Sequence, residues 1–238
     1  MCARISLTVT DTEIADLFGL AYDLSQPRSA DSLRVNVAPS SLIPVVRVVQ
    51  GRWELADLRW GFVPHWNTKP QPTGFANARA ETVAEKPAFR DAFRHRRCLV
   101  PVSGFFEWMK GGRTKQPYFF RPAGGGLMVL AGIWDRWNSP SGVVETVAIL
   151  TVPANDLIRP LHDRMPAILR EGHFSLWLDP RERQPDKLLP LLTTYPPERL
   201  EGWPVSPRVN SVKANGLDLL TPIPPAVETF QPKLFDVA

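Results

Sequence analysis

Cysteine, tyrosine and histidine are scarce in this chain, and their scarcity excludes several classes of protein. The 238 residues include two cysteines, three tyrosines and four histidines. Cys2 and Cys98 form neither a disulfide framework nor a metal-binding spacing. The histidines are scattered, without the His-Glu-x-x-His motif of a metal hydrolase. The sequence therefore predicts no metal, no other cofactor and a reducing compartment.

Long hydrophobic runs are also missing. The longest apolar stretch, around residues 127–134, is far too short to span a bilayer, and no basic leader precedes an apolar run. We therefore expect a soluble, cytoplasmic protein without a membrane partner. What is abundant is proline, with 25 residues, and so many prolines favour short strands and shaped loops over long helices. The net charge of +4 is compatible with a polyanionic partner such as nucleic acid.

Hydrophobic periodicity predicts a series of short strands with a few helices around them. Residues 5–9 alternate as in a half-buried strand, and Thr10 with Glu13 forms a capping box ahead of a first helix. Further strands are expected at 43–49, 53–60, 98–103, 105–109, 117–121, 127–134 and 143–152. The first two of these form a hairpin that turns near Gln50-Gly51. Further helices are expected at 84–94, 174–178 and 186–192.

This order of elements predicts the fold class. Many strands in the middle of the chain with helices at the periphery indicate one α+β domain with a mainly antiparallel, barrel-like β centre. We expect this domain to span residues 1–221 and the protein to be a monomer. Residues 222–238 are predicted to be a proline-rich, extended C-terminal tail.

The first four residues, Met1-Cys2-Ala3-Arg4, have a distinctive chemistry. An initiator methionine ahead of a small residue such as cysteine is commonly removed, which would leave Cys2 with a free α-amine and a thiol on adjacent carbons. An aldehyde can form an imine with the amine, and the thiol can then close a five-membered thiazolidine ring. Usable fractions of both nucleophiles exist at neutral pH. Taken alone, these four residues favour an incidental, inert cysteine, and the rest of the chain changes that balance.

Five further segments downstream have loop-like settings and reactive or recognition side chains. With the first, the set is Cys2-Ala-Arg4, Asn36-Val-Ala-Pro39, Trp60-Gly61, Asn77-Ala-Arg79-Ala-Glu81-Thr82, Gly104-Phe-Phe-Glu107-Trp108 and His162-Asp-Arg-Met-Pro166. Their order and spacing resemble the SRAP (SOS response-associated peptidase) family of abasic-site processing proteins, from residue 2 to about Gly216. The family usually has glycine where this chain has Ala3.

The resemblance implies a function in the DNA damage response. Members of the family lose Met1, bind single-stranded DNA and link the terminal cysteine to the ring-opened aldehyde of an abasic site as a thiazolidine, which shields the lesion. It implies Cys2 as nucleophile, Glu107 as acid/base group, and Asn77 and His162 as polar partners. It also implies peptidase-type self-removal of Met1, a DNA lyase activity and a place near the bacterial nucleoid.

The residue types agree with this chemistry. Imine formation and sugar ring opening require proton transfers, for which Glu107 among its aromatic neighbours is suited. His162 can carry a second proton or hydrogen-bond to the sugar oxygens. Asn77 can orient an amine or hydroxyl without titrating.

DNA contacts are expected from arginines, because guanidinium binds phosphate bidentately, and from Trp66, which can stack on an unpaired base. The residues expected to contact DNA are Arg4, Asn36, Pro39, Trp66, Arg79, Arg90, Thr151 and Arg164. We expect Arg94, Arg96 and Arg97 to form a solvated basic helix end and Cys98 to be a buried apolar side chain.

Other functions remain open on the sequence. The same Cys2 could serve an amino-terminal-nucleophile cysteine peptidase or amidase, or it could be inert in a non-covalent module that binds single-stranded nucleic acid. In the tail, Gln231, Leu234 and Phe235 have the Gln-x-x-Leu-Phe spacing that resembles the motif by which bacterial proteins dock on the replication sliding clamp. The alternative for these residues is packing onto their own domain.

Overall fold

The computed structural model describes residues 3–20, 33–69, 73–109, 115–139 and 142–224. Its strands are β1 (Ile5–Leu7), β2 (Arg34–Val37), β3 (Leu42–Val49), β4 (Arg52–Trp60), β5 (Asn77–Arg79), β6 (Arg97–Val102), β7 (Gly104–Trp108), β8 (Pro117–Pro122), β9 (Met128–Ser139), β10 (Gly142–Pro153), β11 (Arg164–Pro166), β12 (Ile168–Leu169) and β13 (Leu200–Pro204). Its α-helices are α1 (Asp11–Phe18), α2 (Ala80–Val83), α3 (Arg90–His95), α4 (Phe174–Leu178) and α5 (Pro185–Leu188). Within these ranges, none of the helices has the length and apolar character needed to cross a membrane.

Strands β3, β4, β6, β9 and β10 close into a five-stranded barrel. Four of the five contacts around the ring are antiparallel. The ring closes through a short parallel pairing of β4 with β10, in which Arg59 faces Thr146 and Trp60 faces Val147. The predicted α+β domain with a mainly antiparallel, barrel-like centre is thereby confirmed.

Strand β10 pairs with four other strands of this sheet. Beyond the ring it pairs in parallel with β5 and antiparallel with β11, while β12 extends the sheet on β9. The strands added beside β10 carry two of the family-like motifs, because β5 begins at Asn77 and β11 begins at Arg164. The barrel therefore brings these distant segments side by side.

A second, five-stranded sheet holds the amino-terminal strand. Its order is β13-β8-β7-β1-β2, so β1 lies between two neighbours. Alternate residues of β7 face two different cores. Phe105 stacks on Phe120 in the main core, whereas Phe106 packs with Phe119 in a smaller core that also contains Val35.

The structure contains the elements for which the sequence has strong local signals. The capping box of Thr10 and Glu13 is present at the start of α1. Val49 pairs with Arg52, and the two residues between them have positive φ values, 50° for Gln50 and 77° for Gly51. A turn with two left-handed residues matches the twist of a hairpin, so the predicted hairpin is confirmed.

Two predicted helices are wrong in extent, and proline is the reason in each. Of the helix expected over 84–94, only its second half forms, as α3, while residues 84–89 are a series of turns that contains Pro87; proline lacks the N–H and disfavours helical backbone before it. The helix expected over 186–192 ends as α5 at Leu188 and continues as a 3₁₀ turn around Pro190. The sequence does not predict β2, β5, β11, β12 or β13, each of which has only two to five residues and carries little periodic signal.

The basic cluster after α3 also differs from its prediction. Arg97 is only 5% exposed, and its guanidinium donates to five backbone carbonyl oxygens. Burial lowers its pKa to about 10. Arg96 pairs with Asp91 and Asp135, so of the three arginines in this cluster only Arg94 is exposed to solvent. Cys98 is buried as predicted, and burial raises the pKa of its thiol.

At the C-terminal end, the packed structure continues slightly beyond the predicted domain boundary. Pro222 forms a bridge with Val205, and the Ile223 N–H donates to the Pro204 carbonyl oxygen at 2.9 Å. The proposed clamp motif at Gln231, Leu234 and Phe235 lies outside the described residues.

Candidate functional site

The amino-terminal strand runs antiparallel to the strand that carries Glu107. Ile5 faces Phe105, and the Phe106 N–H donates to the Arg4 carbonyl oxygen at 3.0 Å. The start of β1 therefore lies beside the end of β7. Cys2 itself lies outside the described residues, which begin at Ala3.

Glu107 is a buried carboxyl near this end of the sheet. Its side chain is 2% exposed, and it faces Tyr118 across the β7–β8 pairing. Alternation along β7 places it on the side of Phe105, away from the smaller core that holds Phe106 and Trp108. A carboxyl shielded from water in this way is suited to exchanging protons with a bound reactant.

The second group of motif residues assembles around β10. Thr151 lies between Arg79 of β5 and Pro166 of β11, and Asn77 faces Ile149. The segments 77–82 and 162–166, separated by about a third of the chain, thus meet across one strand. This juxtaposition agrees with the sequence interpretation that both segments serve one site.

Arg164 is held by a carboxylate and a carbonyl. Its guanidinium binds both oxygens of Glu81, with Nη2–Oε2 at 2.8 Å, and Nη2 also donates to the Thr151 carbonyl oxygen at 2.6 Å. The hydrogen bond from Arg164 is the main reason that the pKa of the Glu81 carboxyl lies below its ordinary value. A phosphate contact by Arg164, as predicted, would have to share this guanidinium with Glu81.

His162 has a defined hydrogen-bonding role at one ring nitrogen. The backbone N–H of Arg164 donates to Nδ1 at 2.9 Å, so Nδ1 is an acceptor there. In the neutral imidazole the proton is then on Nε2. His162 is half-buried, and Nε2 is the nitrogen that can give or take a proton without losing this contact.

Arg4 and Asn36 tie the amino-terminal sheet to the segment after β13. Arg4 Nη1 donates to Asn36 Oδ1 at 2.6 Å, and the guanidinium lies 5.7 Å from the Trp108 ring centre. Burial lowers the pKa of Arg4. Asn36 is 8% exposed, and its amide donates to carbonyl oxygens of Val209, Ser211 and Ala214. These bonds give Asn36 a structural role.

The other predicted DNA contacts differ in accessibility. Thr151 is completely buried, and its hydroxyl donates to the Ala78 carbonyl oxygen at 3.4 Å, so its side chain is not presented to solvent. Pro39 is half-buried in the turn between β2 and β3. Arg79 and Arg90 are exposed, and Trp66 is 55% exposed.

Sequence reasoning missed the roles of Glu81 and of a charged network beside Trp66. Glu81 stands inside a recognised segment, but its partner Arg164 is 83 residues away in sequence. The partners in the network, His65 and Asp135, are 70 residues apart in sequence, so no local pattern joins them. Among the described residues, no group of three or more His, Cys, Asp and Glu side chains is arranged to hold a metal ion.

The chain and its fold are similar to known proteins. A family model described as "SOS response associated peptidase (SRAP)" matches residues 1–212. "Abasic site processing protein YoaM" of Bacillus subtilis is 36% identical over 224 residues, which cover 92% of this chain and 97% of YoaM. "Abasic site processing protein HMCES" of Gallus gallus is 34% identical over 196 residues, which cover 71% of this chain and 57% of HMCES.

A solved structure from Bacteroides thetaiotaomicron has the same fold. Its TM-score is 0.83 at 26% identity, with 93% of this chain and all of that chain covered. The family match extends over nearly nine-tenths of the sequence and includes all six motif segments, from Cys2 to Pro166. The chain therefore belongs to the SOS response-associated peptidase (SRAP) family.

Proposed function

We propose that this protein processes abasic sites in single-stranded DNA by forming a covalent thiazolidine between Cys2 and the lesion. The relatives named abasic site processing proteins support the lesion as the substrate. The pairing of β1 with β7 is the observation that supports the chemistry most directly, because it holds the amino-terminal strand beside the buried Glu107. Cys2 directly precedes Ala3, and because consecutive Cα atoms are about 3.8 Å apart, the peptide bond tethers Cys2 close to this strand.

The proposed reaction has two bond-forming stages. After Met1 is removed, the α-amine of Cys2 adds to the aldehyde carbon of the ring-opened sugar, and loss of water leaves an imine. The thiol sulfur then adds to the imine carbon while its proton passes to the nitrogen, which closes the thiazolidine ring. The net change is protein plus DNA minus one water, with no oxidant or reductant required.

The proton transfers in this scheme are assigned to two side chains. Glu107 exchanges protons with the sugar and the amine during ring opening and dehydration, since a positioned acid/base group accelerates such steps by about 10²- to 10⁴-fold. His162 Nε2 is the second proton carrier, with Nδ1 occupied by the Arg164 N–H. Asn77, at the start of β5, orients the amine or a sugar hydroxyl through its amide.

Exposed cationic and aromatic residues support single-stranded DNA as the partner. Arg79 and Arg90 are free to approach phosphates at the surface, and Trp66 presents its indole to solvent. Stacking on aromatic side chains and electrostatic contacts to the backbone are the usual basis of single-strand binding. In the cell, the resulting crosslink would shield the lesion from other enzymes.

Intact-mass measurement tests the proposal. The purified protein is incubated with a single-stranded oligonucleotide that contains one abasic site and with the same oligonucleotide without it. We expect loss of Met1 from the protein, and a heat-stable adduct of protein plus DNA minus water only with the lesion. Cys2→Ser should abolish the heat-stable adduct because serine keeps the amine but lacks the thiol.

The other cysteine provides the matched control. Cys98 is buried in the barrel, so Cys98→Ala should retain the adduct. A full-strength, heat-stable adduct in Cys2→Ser would overturn the mechanism. Binding without any adduct would favour a non-covalent module, and turnover of peptide or amide substrates without an adduct would favour a peptidase. Strand cleavage after crosslinking, seen on a denaturing gel, would add a lyase step.

A separate proposal from the sequence concerns the tail. Gln231, Leu234 and Phe235 would dock on the sliding clamp by inserting adjacent apolar anchors into a pocket. Calorimetric titration of the clamp with the intact protein tests this, with Leu234→Ala/Phe235→Ala as the control. No binding by the intact protein ends the proposal.

A further inference from the structure

The loop that presents Trp66 is anchored to a buried carboxylate. We refer to residues 61–69 as the Trp66 loop. The backbone N–H of His65 donates to Asp135 Oδ2 at 2.9 Å, and the Nδ1 atom of His65 lies 3.0 Å from the same oxygen. Asp135 lies on β9 and is 3% exposed. The residue immediately before Trp66 is therefore fixed by its main chain and by its ring.

The charge of Asp135 is compensated on its other oxygen. The Arg136 N–H donates to Oδ1 at 2.8 Å, and Arg96 Nε lies 3.0 Å from it. Arg96 also binds Asp91, which in turn contacts His95 Nδ1 at 3.1 Å. A buried carboxylate is costly unless it is paired and hydrogen-bonded, and here its bonds to His65 and Arg96 join the Trp66 loop and the end of α3 to β9.

Two further bonds fix the loop on either side of Trp66. The Val63 N–H donates to the buried Thr146 hydroxyl at 3.0 Å, and the Trp137 indole N–H donates to the Asn67 carbonyl oxygen at 2.7 Å. Trp66 itself remains 55% exposed in the middle of this anchored segment. An indole that is exposed on a fixed main chain loses little freedom when it binds a partner.

We propose that Asp135 is a positioning residue that acts through His65 to hold Trp66 in the orientation in which it stacks on an unpaired base. This inference rests on the proposed binding of single-stranded DNA. Asp135 does not touch DNA in this scheme, since it lies beneath the loop. Its contribution to affinity therefore exists only while the Trp66 indole is present.

A double-mutant cycle tests the coupling. Binding of a lesion-free, fluorescein-labelled oligothymidine is measured by anisotropy for the intact protein, Trp66→Ala, Asp135→Asn and the double variant, at one salt concentration. Stacking of one base corresponds to roughly 5- to 150-fold in affinity, so Trp66→Ala should weaken binding within that range. Asp135→Asn should weaken binding several-fold in the intact protein and have no effect beside Trp66→Ala.

The sign of the Asp135 effect distinguishes positioning from general electrostatics. Removal of a negative charge should by itself strengthen binding to a polyanion, so a weaker complex is the opposite of the electrostatic expectation. Asp16→Asn, which removes an exposed carboxylate on α1, is the matched control and should not weaken binding. His65→Ala keeps the backbone bond to Asp135 and should cause a smaller loss, which provides a test if Asp135→Asn does not fold.

The outcomes separate this inference from the proposed function. The positioning role is overturned if Asp135→Asn lowers the affinity for DNA equally with and without the Trp66 indole. It is also overturned if Asp135→Asn and His65→Ala both leave the affinity unchanged. If the abasic-site adduct still forms in those variants, the proposed function stands without it. If Trp66→Ala leaves affinity unchanged, Trp66 does not stack and the inference is overturned at its first step.

Discussion

The buried carboxyl of Glu107 is the residue on which the proposed proton transfers depend most. Glu107→Gln keeps the shape of the side chain and one acceptor oxygen but replaces the other oxygen with an NH2 group, so the side chain can no longer exchange a proton. We expect the rate of crosslinking to fall by about 10²-fold while affinity for single-stranded DNA persists. Single-turnover crosslinking followed on a denaturing gel measures the rate, and anisotropy measures binding. Glu85→Gln, at an exposed position, is the control, and parallel losses of rate and affinity in Glu107→Gln would make Glu107 structural.

Glu81 gives a prediction on the pH dependence of stability. Its pKa lies below the ordinary value of 4.5, chiefly because Arg164 donates a hydrogen bond to it. The native state then binds fewer protons than the unfolded state, so the stabilisation is present above pH 4.5 and is lost as the pH falls through the native pKa. The pair is partly exposed, which limits it to about 1 kcal/mol or less.

Urea unfolding between pH 3 and pH 7 measures this contribution. The intact protein should be more stable than Glu81→Gln at pH 7, and the difference should shrink below about pH 4.5. A difference that is the same at all pH values would show that Glu81 does not act through its charge.

Single residues also show what the sequence can and cannot reveal. The proposed roles of Cys2, Glu107 and His162 come from short segments whose order and spacing resemble a known family. The structural role of Asn36 and the burial of Thr151 were not identifiable from the sequence, because both depend on elements far away in the chain. The sequence shows that a motif contains a polar residue, but it does not show whether the side chain faces DNA or packs against another segment of the protein.

Among the elements, the end of α3 is joined to α4 by one side chain. Arg97 donates to carbonyl oxygens of Phe93 and Arg94 at the end of α3, and to those of Trp177, Asp179 and Glu182 at and after the end of α4. The last carbonyls of a helix have no partner within it, so this guanidinium satisfies two helix ends at once.

Arg97→Met should therefore lower the free energy of unfolding by about 3 kcal/mol, because it leaves several carbonyl oxygens without a donor. Arg97→Lys should restore only part of the loss, since an ammonium cannot reproduce the planar fork of a guanidinium. Urea unfolding checks both variants. Arg94→Met, at the exposed neighbour, is the control, and an Arg97→Met variant as stable as this control would contradict the assignment.

The elements themselves were predictable where local signals were strong. The hairpin of β3 and β4, the capped helix α1 and the long strands β9 and β10 follow from periodicity and turn residues. Strands β5 and β11 could not be predicted in the same way, because three residues are too few to show hydrophobic alternation. Their pairing with β10 also depends on how the barrel folds. These are the strands that bring the motif segments together.

At the scale of the whole molecule, the surface arginines determine how strongly the affinity for a polyanion depends on salt concentration. The logarithm of affinity for single-stranded DNA should fall with the logarithm of salt concentration by roughly 0.7 for each phosphate contact. Arg79→Ala should flatten this slope by about one contact. Arg164→Ala should have a smaller effect, because Glu81 already binds its guanidinium.

A salt titration by anisotropy measures these slopes. Arg121→Ala is the control, since Arg121 pairs with Glu201 across β8 and β13. Neither Arg79→Ala nor Arg164→Ala should alter the reaction of Cys2 with a small aldehyde. Equal slopes in Arg79→Ala and the intact protein would remove Arg79 from the path of the DNA.

The closure of the barrel has a consequence for the way the chain folds. β10 needs β4 and β5 from the first half of the sequence and β9 and β11 from the second. In non-local pairings of this kind, the chain loses loop-closure entropy before the stabilising contacts form. This slows folding to the millisecond-to-second range. The parallel contact of Arg59 with Thr146 then forms late, so substitutions there should speed unfolding and leave the rate of refolding nearly unchanged.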